Sequence, residues 1–452
     1  MGQNLEQNLE QNLGPNLDYI VESNMVRLVK RIDTRFEHLV MSAEKAAEII
    51  KDGDTVAFGV FGPAGGPKAV PAALAKTPTR IHFIGGASSS IDDLLCSNMI
   101  SRTPYQQQPL TRAAIKEGKI DFVEMHLAEL TRQMKYMQIH PDVCVVESCL
   151  LEQAYIHPTT TIGSFYEFLE LSKKIIVEVN SAQPLWLVDM ASWGYSPNIP
   201  NIVEKIVAVV PTHVPDPPRD TTIKDAALGA TIGENVIKFL EREVLLGRLG
   251  LSLKPLEFGV GTITDAVARS LAKGPFKGLE VKGEVLMDSI LDLIDAGVLS
   301  KAQGTGLYLS DQGFKKLSDD PAYRSRIQMF PVTYTNSAAT IRNNQTIAIN
   351  GLISASLAGE GNSSYLNGSV YAGIGGSCEF AQNALISIFV LPSTARSGSI
   401  STIEPRLEHT DHPGPNVDVL VTEWGFADLR GVSSSKRAVL INEKCVHPKY
   451  RT

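Results

Sequence analysis

The strongest constraint on this chain is an alternation kept up along its whole length: short runs of β-branched and aromatic residues, each followed by a segment with helical spacing. The runs "RIHFIG" (80–85), "PDVCVVES" (141–148), "KKIIVEV" (173–179) and "KIVAVV" (205–210) lack polar alternation and read as strands buried on both faces. Between them, "MSAEKAAEIIKDG" (41–53) and "IGSFYEFLELSKK" (162–174) carry helical periodicity. Strand and helix in strict turn predict an α/β chain built on open, mostly parallel sheets.

The prolines at 211, 215, 217 and 218 forbid regular structure and mark the best boundary. The rhythm then resumes in "ENVIKFLEREVLLGRLG" (234–250), "PLEFGVG" (255–261) and "TDAVARSLAKG" (264–274), the last read as a helix capped by Thr264 or Asp265. "GLEVKGEV" (278–285) reads as one strand, followed by a helix capped by Asp288. The division expected is a polar, disordered arm at 1–24, an α/β domain at 25–218 and a second, facing α/β domain at 219–452.

A net charge of −7 gives no footprint for nucleic acid or an anionic membrane, and no apolar run reaches spanning length. Five cysteines, none in a CxxC pair, indicate free thiols and neither a disulfide framework nor a zinc site. The first residues lack transit-peptide character, which points to the cytoplasm; a start at Met25 would leave a mitochondrial form open. His409 and His412 flank a turn and lack a third ligand, and Cys378 has no histidine next to it in sequence.

Three stretches carry the candidate chemistry: "EFGVGTITDAV" (257–267), "KGEVLMDS" (282–289) and "YAGIGGSCEFAQNA" (371–384). Each follows a strand-like run and precedes a helix-like one, which places all three at the carboxyl ends of strands, where open α/β sheets bind ligands. Their glycines either bring backbone N–H groups close to an anion or simply serve tight turns. Glu284, alone among apolar neighbours, is either a strand-end acid beside the next helix or a nucleophile toward an activated acyl group.

Taken in order, "GPAGGPKAVP" (62–71), "PYQQ" (104–107), "GKIDFVEMHLAEL" (118–130), Gly259-Val260-Gly261, "GEVLMDSILDLIDAG" (283–297), Gly373 to Ala384, "TEWGFADLRG" (422–431) and "CVHPKYR" (445–451) resemble the acetyl-CoA hydrolase/transferase family of class I coenzyme A transferases. Within that family the chain is most similar to the succinyl-CoA:acetate and propionyl-CoA:succinate transferase branch. The resemblance implies two facing domains of the NagB/RpiA-like type, with coenzyme A held mainly by the second. It matches Glu284 to the family's nucleophile, Val260 and Gly376 to its backbone oxyanion donors, and Asn336 and Glu423 to its substrate-contacting residues. Gly259, Gly261, Gly373 and Gly375 are then expected to line the coenzyme A site.

The implied reaction moves coenzyme A between a short-chain acyl-CoA and a carboxylic acid through a glutamyl-CoA thioester, with Glu284 ionised at neutral pH. Acyl-CoA hydrolysis by the same glutamate is the close alternative, and a non-catalytic acyl-CoA-binding paralogue the further one. The resemblance implies no metal and no resident cofactor, the thioester being substrate, and a homodimer or higher oligomer. Gly283 and Met287 stand where relatives commonly carry a polar residue and a glutamine. Cys378 and Trp424 depart from the pattern as well.

Overall fold

The computed structural model describes residues 17–22, 25–86, 91–136, 139–152, 155–191, 200–217 and 225–452. Most of the arm expected at 1–24 lies outside these. Its described part, Leu17–Glu22, pairs antiparallel with Met25–Lys30, so there the chain is extended and paired rather than irregular.

Two sheets carry the fold. The first has seven parallel strands, in spatial order Ile206–Thr212, Lys174–Asn180, Val143–Ser148, Thr55–Gly59, Ile81–Gly85, Met99–Pro104 and Asp121–Phe122. The second has eight: Ile327–Met329, Leu299–Gly304, Leu279–Lys282, Leu256–Phe258, Ile347–Gly351, Ile386–Val390, Val419–Thr422 and Gly425–Asp428. Only the last of these is antiparallel to its neighbour.

Both sheets are wound the same way. Each starts in its middle, runs three strands outward, then returns to the other side of its first strand and runs outward again. The first sheet therefore reverses between Thr55–Gly59 and Val143–Ser148, and the second between Leu256–Phe258 and Ile347–Gly351. Such a reversal opens a crevice at the carboxyl ends of the two strands, because the connections leave in opposite directions.

The sequence accounts for the central strands directly. Every residue from Val143 to Ser148 is buried, as is every residue from Ile386 to Val390. Helices cover both faces, so each Val or Ile of these strands contributes about 1.5–3 kcal/mol of burial. Phe58 and Phe83 stack at 4.7 Å between adjacent strands.

The stretch 278–285 is not one strand. Leu279–Lys282 belongs to the large sheet, whereas Val285–Met287 pairs with Gly306–Tyr308 in a separate two-stranded ribbon. Gly283 and Glu284 form the break between them. The Glu284 carbonyl accepts from Thr305 N at 2.6 Å and Gly306 N at 3.2 Å, which pins the backbone where the chain changes sheets.

Hydrogen bonds tie the two halves together across this break. Ile162 N donates to Thr305 O at 2.8 Å, Leu307 N to Thr160 O at 2.9 Å, and Gly163 N to Thr305 Oγ1 at 2.9 Å. On the other side Gly373 N donates to Gln106 O at 2.9 Å and Ala128 N to Glu379 Oε1 at 3.0 Å. Among the described residues no helix is long and apolar enough to cross a membrane.

Candidate active site

A cavity of about 560 Å³ lies between the halves, at the switch points of both sheets. The first sheet contributes Gly62 and Pro63, just past Gly59. The second contributes the turn Gly259–Thr262 past Phe258, and Asn350 to Ile353 at and beyond the end of its partner strand. Glu284 enters from the neighbouring strand end, and Gly373 to Ser377 close the far wall.

The Gly259 turn is fixed by its surroundings. Gly259 N donates to Ile349 O at 2.9 Å, and a side chain at 259 would collide with Asn350 Oδ1. Gly261 caps the helix Thr262–Leu271, so the cap lies upstream of the position expected from sequence. Thr264 falls inside the first turn, where its hydroxyl donates to the carbonyls of Gly259 and Gly261, and Asp265 is held by Arg269 at 3.0 Å. Asp288 likewise opens its helix from within, with Met287 as the cap, and accepts from Ser310 N at 2.9 Å.

The third glycine stretch differs from expectation in its approach. It follows a small hairpin, Tyr365–Leu366 with Ser369–Val370, and not a strand of the main sheet. Gly375 takes a left-handed φ of +67°, and Gly376 caps the helix Ser377–Asn383. A side chain at Gly373 would run into Tyr105, so this turn can approach the first half only because it is bare.

Glu284 is half-buried, and Asn336 Nδ2 donates to its Oε1. Asn336 is itself buried, and its Oδ1 accepts from Thr335 Oγ1 at 2.8 Å, which fixes which end of the amide faces the carboxylate. Gly376 sits directly against the same oxygen, leaving no room for a Cβ. Among the described residues neither the Val260 nor the Gly376 N–H donates to an internal acceptor.

Burial pushes the Glu284 carboxyl up to about 8, and the charge of Glu379 pushes the same way against the Asn336 hydrogen bond. Burial thus makes Glu284 a stronger base than a solvated glutamate. Glu257 is held well above the usual carboxylate range by burial, then by the charge of Glu284, despite a 2.9 Å bond from Asn350 Nδ2. Burial and Glu284 also raise the Tyr105 phenol, which donates to Gln107 Oε1 at 2.6 Å.

The structure thus gathers Glu284, Gly259, Val260, Gly261, Gly373, Gly375 and Gly376 around one cavity, with Asn336 behind the glutamate and off the cavity wall. Glu423 is not brought there: it accepts from Ser393 N at 2.9 Å, and Trp424 Nε1 donates to Ser393 Oγ at 3.1 Å. Cys378 does have a histidine beside it, His412 Nδ1 at 3.5 Å, but burial pushes the thiol up to about 12. His409 pairs with Asp411 at 2.9 Å, and no group of three metal-ligating side chains occurs among the described residues.

Sequence reasoning gave no role to Glu257, Asn350, Tyr105 or Glu379. Glu257 and Asn350 carried a readable signal, being polar residues inside short, otherwise apolar runs. Tyr105 and Glu379 reach Glu284 only through tertiary packing.

The family model described as the acetyl-CoA hydrolase/transferase N-terminal domain matches residues 23–211, and its C-terminal counterpart matches 313–452. The chain belongs to the acetyl-CoA hydrolase/transferase family. Within this family it is 35% identical to the succinyl-CoA:acetate CoA-transferase of Clostridium kluyveri, over 93% of this chain and 85% of that protein. It is 36% identical to the propanoyl-CoA:succinate CoA transferase of Escherichia coli, over 91% of each chain. The crystal structure of RipA from Yersinia pestis shares the fold at a TM-score of 0.73 and 22% identity, covering 92% of this chain and 96% of that one. In this acetyl-CoA hydrolase/transferase family member, Glu284 and the Gly259 turn lie between the two matched segments, while Tyr105 and Gly373 to Ser377 lie within them.

Proposed function

We propose that this chain transfers coenzyme A between a short-chain acyl-CoA and a carboxylic acid, with Glu284 as the covalent carrier. The observation that carries the reading is the Glu284 carboxylate, set against Gly376 in a cavity that also opens onto the Gly259–Gly261 turn.

A Glu284 carboxylate oxygen attacks the thioester carbonyl carbon, and the oxyanion so formed is held by the N–H groups of Val260 and Gly376. The C–S bond breaks, leaving a glutamyl–acyl anhydride and coenzyme A thiolate. The thiolate attacks the glutamyl carbonyl carbon, which expels the first carboxylate and leaves a glutamyl-CoA thioester. A second carboxylate reverses both steps and leaves as the new acyl-CoA. One thioester replaces another, so the residues need only position and stabilise charge.

The raised Glu284 proton affinity fits a nucleophile kept out of water, as desolvation strengthens attack by the ionised fraction. Tyr105 and Gln107, brought from the first half, narrow the cavity on the side facing the glycine wall. Hydrolysis would use the same Glu284, with water intercepting the anhydride or the thioester.

The experiment is trapping. Enzyme incubated with acyl-CoA and then treated with borohydride or hydroxylamine should carry its modification at Glu284, and acyl-CoA loss should depend on added carboxylic acid. An unmodified Glu284 rules out covalent transfer; a modified Glu284 with loss independent of added acid leaves hydrolysis.

A further inference from the structure

The curated relatives named above act on succinyl or succinate groups as well as on acetyl or propanoyl ones, so the chemistry of the cavity wall decides which end of that range this chain accepts. Val285 and Met287 share one face of the short strand after Glu284, while Leu286 between them turns away and packs toward Gly304. With Phe61, Leu127 and Val332 they form a buried apolar cluster, against which Tyr105 and Tyr308 pack. Leu127, Val285, Met287 and both tyrosines face the cavity.

The ionisable side chains on the remaining wall, tyrosines aside, are all carboxyl groups. Glu257, Asp265, Glu284 and Asp288 line the cavity, and no lysine, arginine or histidine does so among the described residues. The cations beside it are engaged elsewhere. Arg269 spans Asp265 and Asp292, while Arg112 lies over the Tyr371 ring at 3.9 Å and donates to Gln107 O at 2.7 Å. Glu379 adds a further carboxylate behind Glu284.

Resting on the transfer reading above, we propose that the acyl chamber accepts short uncharged acyl chains and rejects chains that end in a second carboxylate. Monocarboxylic acids, and not succinate, are then its donors and acceptors. A terminal carboxylate entering beside Val285, Met287 and Leu127 would lose its hydration against apolar side chains and find no cationic side chain on the wall to pair with. On the transfer reading the Val260 and Gly376 N–H groups serve the reacting carbonyl and leave the far end of a dicarboxylate to the side chains of the wall. A methyl group at that place meets Met287, Val285 and Leu127 instead.

The test compares kcat/KM for transfer to acetate from butyryl-CoA, succinyl-CoA and the monomethyl ester of succinyl-CoA. Succinyl-CoA should be ~100-fold or more poorer than butyryl-CoA, with the neutral ester within about tenfold of butyryl-CoA. Placing a cation in the wall, as Met287→Arg, should raise succinyl-CoA relative to butyryl-CoA at least about tenfold. Succinyl-CoA used as well as butyryl-CoA overturns the proposal, and so does an ester as poor as succinyl-CoA, since size and not charge would then exclude it. Transfer from none of the three, with Glu284 unmodified by any acyl-CoA, brings down the transfer reading itself.

Discussion

The Glu284 carboxylate lies where a Cβ on Gly376 would stand, so these two residues can be neighbours only while position 376 carries no side chain. Gly376 has φ −95° and ψ 0°, a backbone any residue adopts, so alanine there meets no conformational strain of its own. Gly376→Ala is therefore expected to fold with near-native thermal stability while it displaces Glu284 from the donor turn. Transfer activity should fall ~100-fold or more, of the size seen when oxyanion geometry is lost. A variant that kept wild-type kcat/KM would show that the contact is not part of the reacting geometry.

The raised Glu284 carboxyl sets a pH dependence with a definite sign. On the proposed mechanism the ionised form attacks, and it gains population as pH rises through about 8. The groups that face or influence it are Glu379, Glu257 and Tyr105, and burial raises all three. With acyl-CoA as the varied substrate, kcat/KM should climb about tenfold per pH unit below 8 and level off above it. A profile flat from pH 6 to 9 would mean that ionisation of this carboxyl does not limit the free enzyme.

Asn336 works in the opposite direction to burial, since its Nδ2 donates to the charged form of Glu284. Replacing it with leucine should move the pH midpoint of kcat/KM upward and lower the rate at pH 7 by about tenfold, the worth of a hydrogen bond to a charged group. A purely structural asparagine would change stability and leave the midpoint where it was. The pH profile of Asn336→Leu, read beside its melting temperature, separates the two roles.

How far the sequence reached can be judged from particular residues. The unbroken apolar runs such as Val143 to Val146 marked parallel strands correctly, because a strand covered on both faces has no polar side to show. The breaks were harder. Gly283 and Glu284 looked like the continuation of a strand, since nothing in their side chains announces that the backbone leaves one sheet for another; the Thr305 and Gly306 N–H groups that hold it come from a distant segment. Helix starts at Thr262 and Asp288 were misplaced because Thr264 and Asp288 spend their side chains on other partners. Glu284, Val260 and Gly376 were found through ordered family motifs, and their meeting depends on Gly373 and Gly376 fitting against Tyr105 and Glu284, a packing relation invisible along the chain.

A carboxyl kept in poor solvent should cost the fold something, and the cost has a pH window. The unfolded chain ionises Glu284 near the ordinary value of 4.5, whereas the folded chain holds its proton up to about 8. Between these values the folded state binds the extra proton, so the stability contributed by this group falls as pH rises and is lowest above 8. Glu284→Gln keeps the shape and the contact with Asn336 but never ionises. It should match wild type in denaturant unfolding near pH 5 and exceed it at pH 9; at about 1.4 kcal/mol per tenfold change in proton affinity the shift from 4.5 to about 8 sets a ceiling of ~5 kcal/mol, which the partial exposure of the side chain lowers. Burial of Glu257 and Glu379 remains in both proteins, while the variant also relieves Glu257 of the Glu284 charge, which adds to the gain at high pH. If the variant were equally or less stable at pH 9, the carboxylate must be well solvated in the folded protein, and the desolvated nucleophile drawn here would not exist.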